Sequence, residues 1–177
     1  MYSLTESPVR KKPKKKIIIL VVILAILIVG GVGAWFYEHR YISPIPKSVQ
    51  QSVNFPIYYP EQKKLPFGYT FNLKSFSNPR QNILLYAVDY GVGQKVVFSL
   101  QKKPSDEQIN NFYTYNMPLT IPLNTSVGQA RIGLAGQPPN RKTIASLPTS
   151  DGVWILATAP DNINQNQFDQ VIKSLRE

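Results

Sequence analysis

The feature that most constrains this chain is an unbroken stretch of 21 residues without a charged side chain, from Ile17 to Tyr37. As an α-helix rising 1.5 Å per residue, the stretch would span roughly 31 Å, about the thickness of the hydrocarbon core of a bilayer. It is too long for an ordinary strand, and soluble buried helices rarely keep so long an apolar run. The sequence therefore predicts a transmembrane helix over residues 17–37.

The charges on either side of this helix predict its orientation. Only Arg40 and Lys47 are basic within about twenty residues after it. Because cytoplasmic flanks carry the excess of Lys and Arg, the tail of residues 1–16 is expected in the cytoplasm and the remainder outside. The topology determinants are Arg10, Lys11, Lys12, Lys14, Lys15 and Lys16, and the interfacial anchors that suit the headgroup region are Trp35, Phe36 and Tyr37.

A cleaved signal peptide is the alternative interpretation, because Gly31, Gly33 and Ala34 are small residues near the end of the apolar stretch. The stretch before them is already near the upper length of a signal-peptide core, and the aromatic residues extend it to spanning length. We therefore expect an uncleaved signal anchor that crosses the lipid membrane once.

Composition limits what the rest of the chain can be. With 177 residues, there is room for one domain beside the anchor. Cysteine is absent, which excludes disulfides, a Cys-linked lipid, thiol catalysis and Cys-ligated zinc. The net charge is +10, but half of the excess lies in the basic tail, and no RNA-binding signature is present. We therefore expect no nucleic-acid partner.

Residues 38–52 contain Pro44 and Pro46 and predict a semi-extended spacer before a folded domain over residues 53–177. Alternation predicts a first strand with Tyr69, Phe71 and Leu73 on one face. The remaining predicted strands are Ile83–Tyr90 and Lys95–Gln101, joined as a hairpin across residues 91–94, then Gln129–Leu134, Lys142–Leu147 and Val153–Ala159.

Two helices complete the predicted domain. Ser105 and Gln108 have the spacing of a capping box at the start of the first helix, which Pro118 and Pro122 should end. The second covers Asn164 to Leu175. Strands with segregated helices predict an α+β domain, one antiparallel sheet with two packed helices. The buried helical stripes should be Ile109, Phe112 and Tyr113 in the first helix and Phe168, Val171, Ile172 and Leu175 in the second.

The sequence offers little material for catalysis. His39 is the single histidine, and it lies two residues beyond the apolar stretch. No nucleophile elbow, calcium loop or phosphate-binding loop is present. We therefore predict no enzymatic activity, no metal and no cofactor. A cryptic cell-wall hydrolase with Asp89 or Glu61 as its acid remains an alternative, because carboxylates distant in sequence can meet in space.

One stretch could form a ligand surface. Tyr58 and Tyr59 lie near Lys63 and Lys64, and aromatic rings beside cations can stack on a glycan or a base. The competing interpretation is that a cysteine-free β domain uses most of its aromatic residues in the core.

Short motifs add a resemblance. They are Phe55-Pro56-Ile57-Tyr58-Tyr59-Pro60, Leu65-Pro66-Phe67-Gly68-Tyr69, Gly152-Val153-Trp154-Ile155 and the closing Lys173-Ser174-Leu175. With these motifs the chain resembles an uncharacterised family of bacterial extracytoplasmic domains, often found behind a membrane helix and in some members attached to anti-sigma-type regulators. The resemblance implies no catalytic residues. A cytoplasmic tail of 16 residues is too short for a sigma-binding domain.

The leading functional hypothesis is a membrane-anchored extracytoplasmic binding or sensing module without catalytic activity, which contacts an unknown envelope protein or ligand. A structural or assembly component of a cell-envelope machine is the first alternative, suggested by the short tail and the single helix. The hydrolase is the second alternative.

Overall fold

Seven antiparallel strands form the sheet that organises residues 43–177, the part of the chain that the computed structural model describes. This confirms the predicted antiparallel α+β class. In spatial order the strands are β2 (Tyr69–Arg80), β3 (Ile83–Tyr90), β4 (Gln94–Lys102), β8 (Val153–Pro160), β7 (Lys142–Pro148), β6 (Gly128–Ala135) and β5 (Thr120–Thr125).

Three helices and a second, two-stranded sheet accompany this sheet. The helices are α1 (Lys47–Gln50), α2 (Asp106–Asn116) and α3 (Gln165–Lys173), and a 3₁₀ turn covers Gln62–Lys64. Helix α2 begins with the predicted capping box between Ser105 and Gln108. The four-residue helix α1 was not predicted. The small sheet pairs β1 (Tyr59–Pro60) with β9 (Leu175–Arg176).

The predicted transmembrane helix of residues 17–37, the basic tail and the aromatic anchors lie outside the described residues. Within residues 43–177, no helix is long and apolar enough to cross a membrane. The compact unit begins at Pro44, before the predicted boundary at Val53, and Ile45 is buried in its core.

The two faces of the sheet are covered by different helices. On β8, Val153, Ile155 and Ala157 belong to the core cluster that includes Phe168 of α3, and we call this side the α3 face. The alternate residue Trp154 packs edge-to-face with Phe112 of α2, so the opposite side is the α2 face. Each strand residue therefore belongs to one of two layers.

Three further differences from the prediction concern the strands. Leu73 is 44% exposed, because the register of β2 against β3 shifts after Asn72 and breaks the predicted alternation. Leu175 is buried, as expected, but it lies in β9 rather than in a helix. Strand β5 was not predicted, because the prolines at positions 118 and 122 predicted only the end of the preceding helix.

Candidate functional site

An open apolar groove of about 500 Å³ lies beside β5, at one edge of the seven-stranded sheet. Strand β5 supplies one side, β6 and β7 supply the floor, and the N-terminal end of α3 supplies the other side. The lining residues are Pro118, Leu119, Thr120, Ile121, Ile132, Gly133, Leu134, Thr143, Asp161 and Gln165.

Large aliphatic side chains form the rim of this groove. Leu119 is 85% exposed, Ile121 is 68% exposed and Leu134 is 45% exposed. Ile132, which pairs with Ile121 across the two strands, is buried in the floor. An isolated exposed leucine is ordinary, but adjacent exposed aliphatic side chains around a concavity are typical of an interaction site.

A close approach between the backbones of Leu119 and Gly133 places Leu119 at the rim. A side chain at Gly133 would begin 2.5 Å from the carbonyl oxygen of Leu119, so only glycine permits this approach. Met117, immediately after α2, is buried and lies near the same glycine. The chain therefore leaves α2 with Met117 buried and with Leu119 turned toward solvent.

Strand β5 is one of the two edge strands of the seven-stranded sheet, and it contains a proline at position 122. Proline has no backbone N–H to offer a further strand, and edge strands commonly carry it for that reason. A partner that added a strand here would lack one hydrogen-bond donor at the centre of β5. The groove is consequently better suited to contact through side chains than to strand addition.

The end of the groove nearest α3 is polar. The Arg141 guanidinium donates to an Asp161 carboxylate oxygen, with Nε and Oδ2 separated by 3.2 Å. Both side chains are more than a third exposed, so the ion pair contributes little to stability. The charged groups at the polar end of the groove are therefore paired with each other, whereas the aliphatic rim remains exposed to solvent.

The structure does not present the predicted ligand surface as a stacking platform. Tyr58 and Tyr59 are buried, at 6% and 2% exposure, whereas Lys63 and Lys64 are exposed. Burial, assisted by the neighbouring Asp151, raises the pKa of Tyr58 far above its usual value. The two tyrosines therefore serve the core, and only the lysines remain at the surface.

The two carboxylates considered for hydrolysis are engaged by other groups. Asp89 accepts a hydrogen bond from Asn72 Nδ2 at 2.7 Å, and Lys95 Nζ lies 3.9 Å from its other oxygen. Hydrogen bonding from Lys64 lowers the pKa of Glu61 below its usual value. A general acid needs a raised pKa, so Glu61 is shifted in the unfavourable direction.

Among residues 43–177, no cluster of three or more His, Cys, Asp or Glu side chains is arranged to hold a metal ion. No family model matches the chain, and searches of curated proteins and of solved structures found no match. The site must therefore be judged on its own geometry.

The residues of the groove were missed by the sequence analysis. Leu119 and Ile121 lie two residues apart between Pro118 and Pro122, as in a strand, but the two prolines predicted only the end of the preceding helix. A short uncharged strand with exposed aliphatic residues has no signature distinct from that of a core strand. Whether the aliphatic residues of such a strand are exposed can be decided only when the elements that pack beside the strand are known.

Proposed function

We propose that the chain is a membrane-anchored extracytoplasmic binding or sensing module without catalytic activity, and that its groove beside β5 receives an apolar segment of a partner protein. The observation that carries this proposal is the exposed aliphatic rim of the groove, formed by Leu119, Ile121 and Leu134. The membrane anchor rests on the apolar stretch of residues 17–37 and its basic flank. The resemblance to extracytoplasmic domains found behind a membrane helix is in keeping with this arrangement.

The shape of the rim favours a protein over a small ligand. Small ligands bury most of their surface in a pocket that encloses them. Leu119 and Ile121 project beyond the floor of the groove, where a small ligand would leave them exposed. A protein segment can fill the floor and cover the rim together, which removes more apolar surface from water.

Site-specific photocrosslinking in intact cells tests this proposal. A photoreactive residue at position 121 and, in a second variant, at position 134 should give an adduct of the same mass. The matched control is position 92, because Val92 is fully exposed and aliphatic but lies in the turn between β3 and β4. Leu119→Asp in the crosslinking variants should abolish the adduct, because a desolvated carboxylate is costly.

Three results would overturn the proposed docking surface. The first is an adduct at position 92 that equals those at positions 121 and 134. The second is the absence of any adduct at both groove positions. The third is an adduct of twice the chain mass, which would identify a second copy in place of a different protein.

The membrane topology needs a separate measurement. In intact cells, external protease should remove a C-terminal tag and leave a small protected fragment that contains residues 1–37. A tag that resists the protease would place the domain in the cytoplasm. Release of the intact domain into the medium would identify residues 17–37 as a cleaved signal peptide.

A further inference from the structure

A second concavity, of about 470 Å³, lies on the opposite side of the sheet from the apolar groove. Arg131 and Ile132 are neighbours on β6, so Arg131 belongs to the α2 face and Ile132 to the α3 face. The wall of this concavity is formed by α2, the segment before it and the ends of β6 and β7. The lining residues are Lys103, Asp106, Ile109, Asn110, Tyr113, Gln129, Arg131 and Pro148.

The Arg131 guanidinium rests on an aromatic ring that is itself held in place. Its central carbon lies 4.4 Å from the centroid of the Tyr113 ring. The Tyr113 hydroxyl is 3.1 Å from Ser146 Oγ, which also accepts a hydrogen bond from Trp154 Nε1 at 2.8 Å. The guanidinium therefore makes a cation–π contact with a fixed aromatic support, which leaves its N–H groups for a ligand.

The charges around the concavity leave a positive excess. Among residues 43–177, no carboxylate lies within ion-pair distance of Arg131. Lys103 pairs with Asp106 at 2.8 Å, but the Asp106 side chain is 83% exposed, so solvent weakens this pair. Two cations and one carboxylate give a net charge of +1, which a single anionic group would balance.

We propose that this concavity binds the carboxylate of a small acylated amino acid or of a peptide C-terminus. The planar fork of a guanidinium matches the two oxygens of a carboxylate and can bind them with parallel hydrogen bonds. An ammonium has three N–H donors, so Lys103 keeps donors beyond its contact with Asp106. Asn110 and Gln129 supply amide groups for the peptide unit, and Ile109 and Pro148 supply apolar surface for a short side chain.

Calorimetric titration of the full chain in mild detergent, with N-acetylalanine as the probe, tests this proposal. N-acetylalanine methyl ester is the matched compound that lacks the charge. We expect saturable binding of one molecule of the acid and none of the ester. Arg131→Gln should weaken binding about tenfold or more, because the substitution removes the charge-assisted hydrogen bonds to the carboxylate.

Two further variants distinguish the contribution of the planar guanidinium to the affinity from the contribution of positive charge. Arg131→Lys keeps the charge but loses the planar fork, so its affinity should fall between those of the wild type and Arg131→Gln. Lys142→Gln removes an exposed charge from β7 outside the concavity and should leave the affinity unchanged. In NMR spectra, the Nε–Hε signal of Arg131 should move as the acid is added.

Several results would overturn the carboxylate site. They are equal binding of the acid and the ester, inorganic phosphate binding as tightly as the acid, and unchanged affinity in Arg131→Gln. The absence of both heat and an Arg131 shift at probe concentrations of roughly tens of millimolar would also overturn it, because such a site would be too weak to hold a ligand.

Discussion

The two faces of the central sheet are built on different principles. The α3 face is an apolar layer in which Phe98, Phe168 and Val171 have no exposed surface. The α2 face has a polar centre, where Ser146 joins Tyr113 and Trp154 by hydrogen bonds and the Arg131 guanidinium lies over the tyrosine ring. Apolar side chains can pack in more than one arrangement with little loss of stability. A buried hydrogen-bond network requires specific atom positions, and leaving one of its polar groups unpaired destabilises the fold. We infer that the α3 face provides most of the stability and that the α2 face holds side chains in fixed positions.

The largest expected effect comes from the α3 face. Phe168→Ala should lower the free energy of unfolding by about 3–5 kcal/mol, because it opens a cavity at a fully buried position. Urea unfolding of the full chain, followed by tryptophan fluorescence, measures the loss. Phe67→Ala is the matched control, since Phe67 is fully exposed and its removal should change the unfolding free energy by less than about 0.5 kcal/mol. Equal losses in the two variants would contradict the assignment of stability to the α3 face.

The second largest loss of stability is expected for a substitution at the polar centre of the α2 face. Ser146→Ala should destabilise the domain by about 1–3 kcal/mol, because the Tyr113 hydroxyl and the Trp154 indole N–H lose their partner while buried. The exposed Ser150→Ala is the control. The same unfolding assay applies, and Ser146→Ala should also weaken N-acetylalanine binding, since the Tyr113 support under Arg131 is loosened. A fully stable Ser146→Ala variant would show that the network contributes no net stability.

A smaller effect concerns the segment that precedes the large sheet. The Tyr58 hydroxyl donates to Asp151 Oδ2 at 2.7 Å, and Thr149 also donates to this carboxylate. Partial burial opposes ionisation of Asp151, but the hydrogen bonds from Thr149 and Tyr58 outweigh it and hold its pKa below the usual range. Asp151→Asn should cost about 1 kcal/mol at neutral pH.

This cost depends on pH with a definite sign. A lowered folded-state pKa means that the carboxylate stabilises the domain above the usual pKa of Asp and that this contribution disappears as the pH falls below it. The stability difference between wild type and Asp151→Asn should therefore shrink between pH 5 and about pH 3. Unfolding curves at both pH values measure it. A difference that grows on acidification would contradict this assignment.

The smallest expected effect on stability belongs to the apolar groove. Ile121→Ser removes a side chain that is 68% exposed, so the unfolding free energy should change by less than about 0.5 kcal/mol. The same change should markedly reduce partner crosslinking from position 134. Val92→Ser is the control for both measurements. A loss above about 2 kcal/mol for Ile121→Ser would mean that the rim serves folding, and the contrast between core and groove would fail.

Much of the domain was predictable from local patterns. The hairpin of β3 and β4, the capping box of α2 and the buried stripe of α3 all follow from periodicity and spacing over short distances. The candidate sites were not predictable in this way. Tyr58 and Lys64 suggested a ligand surface, but the side chain of Tyr58 turned out to be part of the core.

The sequence by itself determined the antiparallel α+β class, the order of most strands and helices, and the expectation of an anchored chain, because each depends on residues that are close along the chain. Only the tertiary structure decided which apolar residues remain exposed and which polar residues converge. Leu119 and Leu134 are large aliphatic residues of the kind that usually lies in a core, and they form a rim because α3, which contacts β5 and lines the groove with Gln165, leaves both side chains exposed. Lys103 and Arg131 share a concavity through strand order, which brings together side chains from distant parts of the chain.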